Sequence, residues 1–333
     1  MEIISALKAS NLIGLGGAGF PTWQKWQAVK DSPEVKRFVI CNLSEGEPGV
    51  FKDEYILQNH LPELIAGINL AKETIGAQRT YIFLNDKYKK YLPKIVKETK
   101  GKKIEVFIDT GRYLCGEETT LLQTMEGKLR QPRQKPPFPT EAGLYGYPTL
   151  INNAETLYRA YLISQGETEI KRFYSLSGDV IDHKRIVEEK VGSKIKEVIP
   201  PRYLDKINFV RVSGPSGFFA RPEDFEQIAS GTGAVEIYGK NRRILEGLIN
   251  SITFLKDESC GKCTPCREGT YRIAELLNKL IATASLWDRK EILELISTIA
   301  KTAEVSSFCP LGSSINRPVA SVIENFKQEI LGE

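Results

Sequence analysis

Four of the six cysteines lie in the last quarter of this 333-residue chain, and their spacing is the feature that most constrains its fold. Cys260, Cys263 and Cys266 are separated by two residues each, and the remote Cys309 is followed by a proline. Zinc ribbons use two separate C-x-x-C pairs, whereas three successive thiolates with a remote Cys-Pro match a loop wound around a cubane. The pattern predicts a [4Fe–4S] cluster, ahead of a zinc site and well ahead of a disulfide pair.

The charge balance and hydropathy exclude several classes of protein. The chain has 46 Lys and Arg against 42 Asp and Glu, a net charge of +4 with both signs mixed along it, so no nucleic-acid partner is expected. No stretch approaches the roughly 18 apolar residues of a membrane helix, and the first ten residues lack the apolar core of a secretion signal. We therefore expect a cytoplasmic protein with no direct membrane span, whose clustered cysteines bind metal.

The first half of the chain alternates between strand and helix patterns. Strands are predicted at 37–41, 80–84 and 104–108, with a long helix from about 53 to 75 and a Lys-rich helix between the last two strands. This alternation is typical of an α/β layer with a mainly parallel sheet. Ligands of such sheets bind at the C-terminal ends of the strands, where two loops of unusual composition follow.

The second half changes character twice. A Pro- and Gly-rich connector at 127–148 leads into a predicted helix at 152–165. Short strands, at 171–175 and 209–213 among others, predict a small β-rich domain over 171–235. Helical periodicity dominates after 241 and predicts about four helices, hence a small bundle that carries the cysteine loop.

A glycine-rich loop follows the first short helical pattern. Gly14, Gly16 and Gly19 satisfy G-x-G-x-x-G, but a helix precedes them and Phe20-Pro21 follows, so the usual Rossmann interpretation is poor. With Gly17 included, four glycines in six residues allow backbone N–H groups to approach an anion or a flat ring closely. A flexible turn is the simpler alternative.

The two loops at the predicted sheet edge are acidic: residues 42–49, named here the acidic loop, and residues 115–118, the Cys-Gly-Glu-Glu turn. Their four glutamates are Glu45, Glu47, Glu117 and Glu118. Carboxylates accept hydrogen bonds from ribose hydroxyls and disfavour a 2′-phosphate, although one glutamate could simply complement a helix dipole. Phe138, held between prolines, offers either a face for a purine ring or a hydrophobic plug.

Taken in order, several segments together resemble one family, the NADH-binding flavoprotein subunit of respiratory complex I with its relatives in NAD-linked hydrogenases and formate dehydrogenases. The segments are 14–22, 42–53, 115–118, 135–139, 152–156 and 258–269 with Cys309. The resemblance implies three domains: a modified Rossmann-like α/β FMN/NADH-binding domain at 1–166, a β-grasp-like SLBB domain at 167–238, and a four-helix bundle with one [4Fe–4S] cluster at 239–333.

The resemblance also implies site residues, position by position. FMN contacts fall on Gly14, Gly16, Gly17, Lys25, Asn42, Glu45, Gly116, Glu117, Asn152, Asn153 and Thr156. Dinucleotide contacts fall on Phe20, Glu47, Glu118 and Phe138, the last stacking on adenine. The cluster ligands are the four C-terminal cysteines. No side chain is expected to act as an acid or base, because the flavin itself carries the hydride.

The implied function is electron input: hydride transfer between NAD(H) and FMN, then single electrons to the cluster. The implied partners are a small thioredoxin-like [2Fe–2S] subunit and a larger iron–sulfur subunit, which would hold the chain at a membrane only indirectly. Three departures from the family pattern, Leu15 for arginine, Ser44 for aspartate and Ala28 for an aromatic, support an alternative. It is a structural or electron-relay role that keeps FMN or cluster but binds nucleotide weakly or not at all.

Overall fold

The computed structural model describes residues 2–332, which divide into two compact units. The first unit comprises the chain up to Gly46, Phe51–Phe173 and Glu188–Val191, and the second comprises Glu47–Val50, Tyr174–Val187 and the chain from Gly192 onward. Within residues 2–332, no helix is both long and apolar enough to cross a membrane.

The first unit is built on a four-stranded parallel sheet in the order β3-β2-β1-β4. Its strands are β1 Phe38–Leu43, β2 Arg79–Asn85, β3 Ile104–Asp109 and β4 Thr149–Asn153. Its helices are α1 Ile3–Ala9, α2 Thr22–Lys30, α3 Lys52–Asn59, α4 Leu61–Ile75, α5 Leu92–Thr99, α6 Glu118–Met125, α7 Pro139–Ala142 and α8 Ala154–Ser164.

Strand β1 lies at the centre of this sheet and is covered on both faces. Its apolar run from Phe38 to Cys41 is fully buried, as expected for a strand of a parallel sheet with helices on each side. In register, Asn42 stands opposite Phe83 of β2 and Asn153 of β4. The C-terminal ends of β1 and β4 therefore deliver two asparagines to the same edge.

The three strands predicted in this unit are confirmed, each within two residues. The long helix predicted from 53 to 75 is instead two helices, α3 and α4, which meet at His60 because Pro62 opens a new first turn. Strand β4 was not predicted: Asn152 and Asn153 end it, and the following helix begins only at Ala154. Five residues with one apolar pair carry too little pattern to reveal a strand.

A second, five-stranded sheet has the order β6-β5-β9-β7-β8. Its strands are β5 Lys171–Gly178, β6 Arg185–Lys190, β7 Ile207–Val212, β8 Phe218–Ala220 and β9 Ala234–Gly239, with a short helix α9 Ile195–Val198. The strands predicted at 171–175 and 209–213 are β5 and β7. Strand β5 pairs with β9 in parallel, while β7 is antiparallel to β8 and β9. The assignment as an SLBB domain and the three domain boundaries stay predictions.

The C-terminal region is helical, as predicted. Its helices are α10 Ile244–Glu258, α11 Thr264–Ala282, α12 Leu286–Ser306, α13 Pro310–Ser313 and α14 Asn316–Leu331. Helix α10 packs on α11, α11 on α12, and α12 on α14. Three of the predicted cluster ligands lie at helix starts: Cys263 and Cys309 occupy the N-cap positions of α11 and α13, and Cys266 lies in the first turn of α11.

Candidate functional site

Three of the segments that the sequence singled out converge at the C-terminal ends of β1 and β4. The side-chain amide of Asn42 donates to the carbonyl of Gly116 at 2.9 Å, and its Oδ1 accepts from the backbone N–H of Ser44 at 3.0 Å. A Cβ on Gly116 would lie 3.1 Å from the Ser44 carbonyl. The acidic loop and the Cys-Gly-Glu-Glu turn are therefore in direct contact within the first unit.

The glycine loop is anchored to the start of α8. The Leu15 N–H donates to Oγ1 of Thr156 at 2.9 Å, and the Leu15 carbonyl accepts from the Lys52 ammonium at 2.6 Å. A Cβ on Gly16 would stand 3.1 Å from the Cβ of Asn153. Gly17 has φ +119°, a conformation that favours glycine. This loop is thus a held backbone cradle rather than a free turn.

The side chain of Leu15 is fully buried. Where the resembled family has an arginine, this chain therefore has a core residue. Ser44, the second departure, donates its hydroxyl to Oδ2 of Asp109 at 3.1 Å. Both departures from the family pattern are therefore residues with structural contacts, Leu15 in the core and Ser44 hydrogen-bonded to Asp109.

Asn152 and Trp26 form another buried contact at this sheet edge. The indole N–H of Trp26 donates to Oδ1 of Asn152 at 2.9 Å, and the indole is fully buried. Trp26 is therefore core rather than a stacking surface. Its neighbour Asn153 caps α8 by accepting from the N–H of Glu155 at 3.0 Å.

An ion-pair network links residues predicted for FMN with one predicted for the dinucleotide. The Lys25 ammonium lies 2.6 Å from Oε2 of Glu118, and the Lys135 ammonium lies 3.3 Å from Oε1 of Glu118 and 3.0 Å from Oε1 of Glu117. Burial raises the pKa of Glu118, but the two lysines outweigh it, so its pKa lies below the ordinary value. Glu118 is consequently a carboxylate at neutral pH, able to accept hydrogen bonds from ligand hydroxyls.

Glu117 has a structural role in the described contacts. Its Oε2 caps α6, accepting from the backbone N–H groups of Thr119 and Thr120 at 3.0 and 2.8 Å and from both hydroxyls. The alternative raised by the sequence, that one of the four glutamates serves the start of a helix, therefore applies to Glu117. Its contact with FMN stays a prediction.

Beneath the cradle lies a buried charge network that sequence reasoning did not select. The Lys52 ammonium lies 2.5 Å from Oε2 of Glu155, and the two side chains are 3% and 0% exposed. The other Glu155 oxygen accepts from the backbone N–H of Phe173. A lysine beside an aspartate ordinarily indicates a solvated turn. The pair Lys52-Asp53 after the acidic loop is therefore only a weak sequence signal for this buried role.

Two further carboxyls extend this network. Glu45 accepts from the Asp53 N–H at 3.0 Å with one oxygen and from the Tyr88 hydroxyl with the other. Burial raises the pKa of Glu45, and burial together with the Glu45 charge raises that of Asp53 well above its usual range. Glu45 is thus a buried polar anchor of the acidic loop.

The residues predicted for the dinucleotide do not all belong to one unit. Phe20 and Phe138, in the first unit with Glu118, are 47% and 50% exposed, so both rings present an open face. Glu47 belongs to the second unit, where a Cβ on Gly214 would lie 2.4 Å from its Oε1. The carboxylate of Glu47 therefore packs against a glycine whose φ is +66°.

The second unit holds the four C-terminal cysteines, none of which forms a disulfide. Cys263, Cys266 and Cys309 are buried and Cys260 is half-buried. The Phe308 N–H donates to Sγ of Cys263 at 3.4 Å, which brings the Cys309 segment against the loop.

The packing around these cysteines is close. A Cβ on Gly312 would lie 3.2 Å from the Cβ of Cys266 and 2.4 Å from that of Ser307. Gly261 turns the loop with φ +79°. In residues 2–332, no three His, Cys, Asp or Glu side chains are grouped as ligands of a single metal ion. The donor set of four cysteines and no histidine fits an iron–sulfur cluster.

Comparison with known proteins decides the family. Residues 7–162 match the Nuo51 FMN-binding domain, and residues 247–332 match the NADH-ubiquinone oxidoreductase-F iron-sulfur binding region. The chain is 31% identical to an F-type subunit of NADH-quinone oxidoreductase from Rhizobium meliloti, over 99% of this chain and 88% of that protein. The chain belongs to this family of F-type NADH-quinone oxidoreductase subunits. The F-type homologue of Aquifex aeolicus is 32% identical, over 98% and 85% of the two chains.

Relatives of this family also occur in hydrogenases. The chain is 30% identical to the alpha subunit of the NAD-reducing hydrogenase HoxS of Cupriavidus necator, over 98% of this chain but 60% of that one. The crystal structure of an NAD⁺-reducing [NiFe]-hydrogenase in the H₂-reduced state matches with a TM-score of 0.91 at 32% identity, over 99% of this chain and 62% of that chain. The chain thus spans about three fifths of these hydrogenase subunits. The predicted FMN-binding α/β domain and helical iron–sulfur region are confirmed, and the zinc alternative is not supported.

Proposed function

We propose that this F-type family member is the electron-input subunit of a multisubunit oxidoreductase, with NADH as its substrate. Bound FMN would supply hydride and one-electron chemistry, and a [4Fe–4S] cluster held by the four C-terminal cysteines would supply one-electron chemistry. The observation that carries the proposal is the convergence of the glycine cradle, the acidic loop and the Cys-Gly-Glu-Glu turn at one edge of a parallel sheet, where such folds bind nucleotides.

The residues that would hold FMN all belong to the first unit. They are Gly14, Gly16, Gly17, Lys25, Asn42, Glu45, Gly116, Glu117, Asn152, Asn153 and Thr156. The Gly14 N–H donates to the Phe20 carbonyl at 2.8 Å and the Gly19 N–H to the Gly14 carbonyl at 3.2 Å, so the cradle is a closed loop. Because its glycines carry no side chains, a flat ligand would be able to approach this backbone closely. The Lys52 ammonium holds the cradle from beneath, so its backbone is organised before any ligand arrives.

Glu118 would orient the nicotinamide ribose, because an ionised carboxylate accepts hydrogen bonds from vicinal hydroxyls. The exposed rings of Phe20 and Phe138 would provide stacking faces. The dinucleotide contact of Glu47, a residue of the second unit, stays an expectation from the family resemblance. A carboxylate near the ribose repels a 2′-phosphate, which supports NADH over NADPH. Cys260, Cys263, Cys266 and Cys309 would ligate the cluster.

One cluster carries electrons only a short distance, so the chain needs partners. The relatives are named as subunits of oxidoreductases, which supports partner subunits for this chain. By the family resemblance, these partners would be a small thioredoxin-like [2Fe–2S] subunit and a larger iron–sulfur subunit. The proposed location is cytoplasmic, with contact to a membrane only through that assembly.

An anaerobic titration of the FMN-loaded, iron-replete chain with NADH tests the proposal. We expect the flavin absorbance to bleach at about one equivalent of NADH and the cluster absorbance to change in step or afterwards. A flavin that stays oxidised with excess NADH but is reduced by dithionite contradicts electron input and supports the relay alternative. Iron and sulfide analysis of the same sample checks the cluster separately.

A further inference from the structure

The outer edge of the first unit's sheet is open at β3. Strand β3 ends the order β3-β2-β1-β4 and pairs only with β2 among the strands in residues 2–332. Four of its six residues, Ile104 and Val106–Ile108, are half-buried and Glu105 is exposed. An edge strand of this kind presents unpaired backbone N–H and C=O groups to a neighbouring chain.

Beside this edge runs a groove of about 810 Å³ between β3 and α5. Its floor consists of Ile104, Val106 and Ile108, which share one face of the strand because side chains alternate. Its wall comes from Leu92, Pro93 and Val96 on α5, with Val96 55% exposed. The groove is therefore apolar at its base and accessible to solvent.

One end of the groove is strongly basic. Lys97, Lys100 and Lys103 line it where α5 ends and β3 begins, and all three are exposed. The ion pairs of nearby lysines, such as Lys89 with Asp86 and Lys90 with Glu54, do not involve these three. Three ammonium groups without a salt bridge in the described part of the chain favour an acidic ligand at that end.

Lysines also protect sheet edges from aggregation, which is the simplest alternative role for this cluster. Protective lysines stand on the edge strand itself, yet the sequence of β3 is Ile-Glu-Val-Phe-Ile-Asp and contains none. The lysines lie instead on the helix end and turn beside the groove, where they leave the strand's backbone accessible. Their placement suits recognition of an acidic ligand better than protection of the sheet edge from aggregation.

We propose that the β3 edge and its groove bind an extended acidic segment of a partner polypeptide, which adds a fifth strand to this sheet. Backbone hydrogen bonds to β3 supply the pairing, alternate apolar side chains of the segment enter the groove beside Val96, and carboxylates meet Lys97, Lys100 and Lys103. The segment's acidic residues lie at the end that faces the start of β3. None of the residues that line this groove is among those proposed to hold the flavin, the dinucleotide or the cluster.

The test uses the full chain and labelled synthetic peptides of about eight residues, the length of an ordinary strand. The acidic peptide alternates Val with Ser and carries Glu at one end, and the basic control carries Lys in place of Glu. A third peptide keeps the acidic sequence but is N-methylated at alternate amides, which removes strand pairing without changing charge. Binding is measured by fluorescence anisotropy, and amide hydrogen exchange locates the bound peptide.

We expect only the unmodified acidic peptide to bind, with slowed exchange confined to β3 and its flanks. The variant Lys97→Glu/Lys100→Glu/Lys103→Glu should weaken binding about tenfold or more, since several charge pairs are lost together. The matched control Lys290→Glu/Lys301→Glu/Lys327→Glu changes three exposed lysines of the second unit and should leave binding unchanged. Circular dichroism confirms that each variant is folded.

Several results overturn the proposal. Equal binding of the N-methylated peptide would reduce the site to a basic surface without strand addition. Equal binding to both triple variants, slowed exchange elsewhere than β3, or no binding by the acidic peptide at millimolar concentration would each refute it. Vesicles of phosphatidylserine that are retained through the same three lysines, with no peptide bound, would identify a membrane surface instead.

Discussion

The cradle of the first unit and the cysteine loop of the second are specified in opposite ways. The cysteine loop is local: three of the four proposed ligands occupy seven consecutive residues, and only Cys309 comes from a distance. The cradle is held by contacts of long sequence separation, with Lys52 bonded to Leu15 and Glu155 and Glu155 bonded to Phe173. A substitution in the cysteine loop should therefore remove the cluster and leave FMN binding unchanged. A substitution among the residues that hold the cradle should instead lower the free energy of unfolding of the whole first unit.

Removing one cluster ligand is the most severe way to test this contrast. Cys266→Ser should lose nearly all cluster iron, because an alcohol is a poor substitute for a thiolate ligand. The FMN content should stay close to wild type, since the residues proposed to hold FMN lie in the other unit. Iron, sulfide and flavin analyses of one preparation measure both.

The matched control for that change is Cys115→Ser. Cys115 is a buried cysteine of the first unit, where burial raises its pKa to about 11, and it lies outside the cysteine loop. Iron content should be unaffected by this variant. A Cys266→Ser protein that keeps its iron would show that the loop does not ligate the cluster.

Breaking the buried ion pair beneath the cradle should have the next largest effect. Lys52→Met leaves Glu155 uncompensated at 0% exposure and should cost about 3–5 kcal/mol of the free energy of unfolding of the first unit. Urea denaturation followed by tryptophan fluorescence in a Trp287→Phe background reports this unit, because Trp23 and Trp26 are then the remaining tryptophans.

The double variant Lys52→Met/Glu155→Gln sharpens that result. Removing both charges should recover part of the stability lost by Lys52→Met alone, because the buried lone carboxylate is gone. If the double variant lost more free energy of unfolding than the two single variants lose in sum, a direct pairing of these side chains would be contradicted.

Glu118→Gln separates nucleotide binding from flavin binding. Losing a charged acceptor should raise the KM for NADH about tenfold, at roughly 1.4 kcal/mol per tenfold, while the Kd for FMN changes much less. The control Glu73→Gln alters an exposed glutamate on α4 and should change neither constant. An unchanged KM in Glu118→Gln would remove this residue from the dinucleotide site.

The smallest expected effect is a pH dependence that arises from Asp53. Its pKa is raised in the folded protein, so between the unfolded value near 4 and the folded value the native state binds the extra proton. Stability should therefore fall as pH rises through that window, by up to about 1.4 kcal/mol per pH unit. Asp53→Asn should flatten the slope, and urea midpoints measured across pH 4–8 check it; an equal slope in the variant would assign the proton elsewhere.

Most of the fold was predictable from the sequence because the relevant signals are local. The apolar run of β1 and the cysteine spacing each lie within a few residues. The alternation of strands and helices after β1 is built from short segments, each with its own local pattern. The structure contains all of these elements. Strand β4 and the break at His60 were not predicted, since a short polar strand and a Pro at a helix start carry little periodicity.

The residues of the candidate site show the same difference between local and long-range sequence signals. The glycine cradle and the acidic loop were selected from composition, but Lys52 could not be, because its partners Leu15 and Glu155 stand 37 and 103 residues away in sequence. Glu117 shows the converse: a residue carried over from a family pattern also has an ordinary helix-capping role. Side chains whose function is to bridge distant segments become visible only when the segments are folded together.

The two oxygens of Glu155 have a consequence for synthesis of the chain. One oxygen binds the lysine that supports the glycine cradle and the other binds the N–H of Phe173. Although the cradle is encoded within the first 20 residues and Lys52 follows soon after, the Glu155 that pairs with Lys52 therefore emerges from the ribosome 155 − 20 = 135 residues later. We expect nascent chains that end before α8 to be unable to retain flavin, so cofactor loading should follow completion of the first unit rather than accompany it.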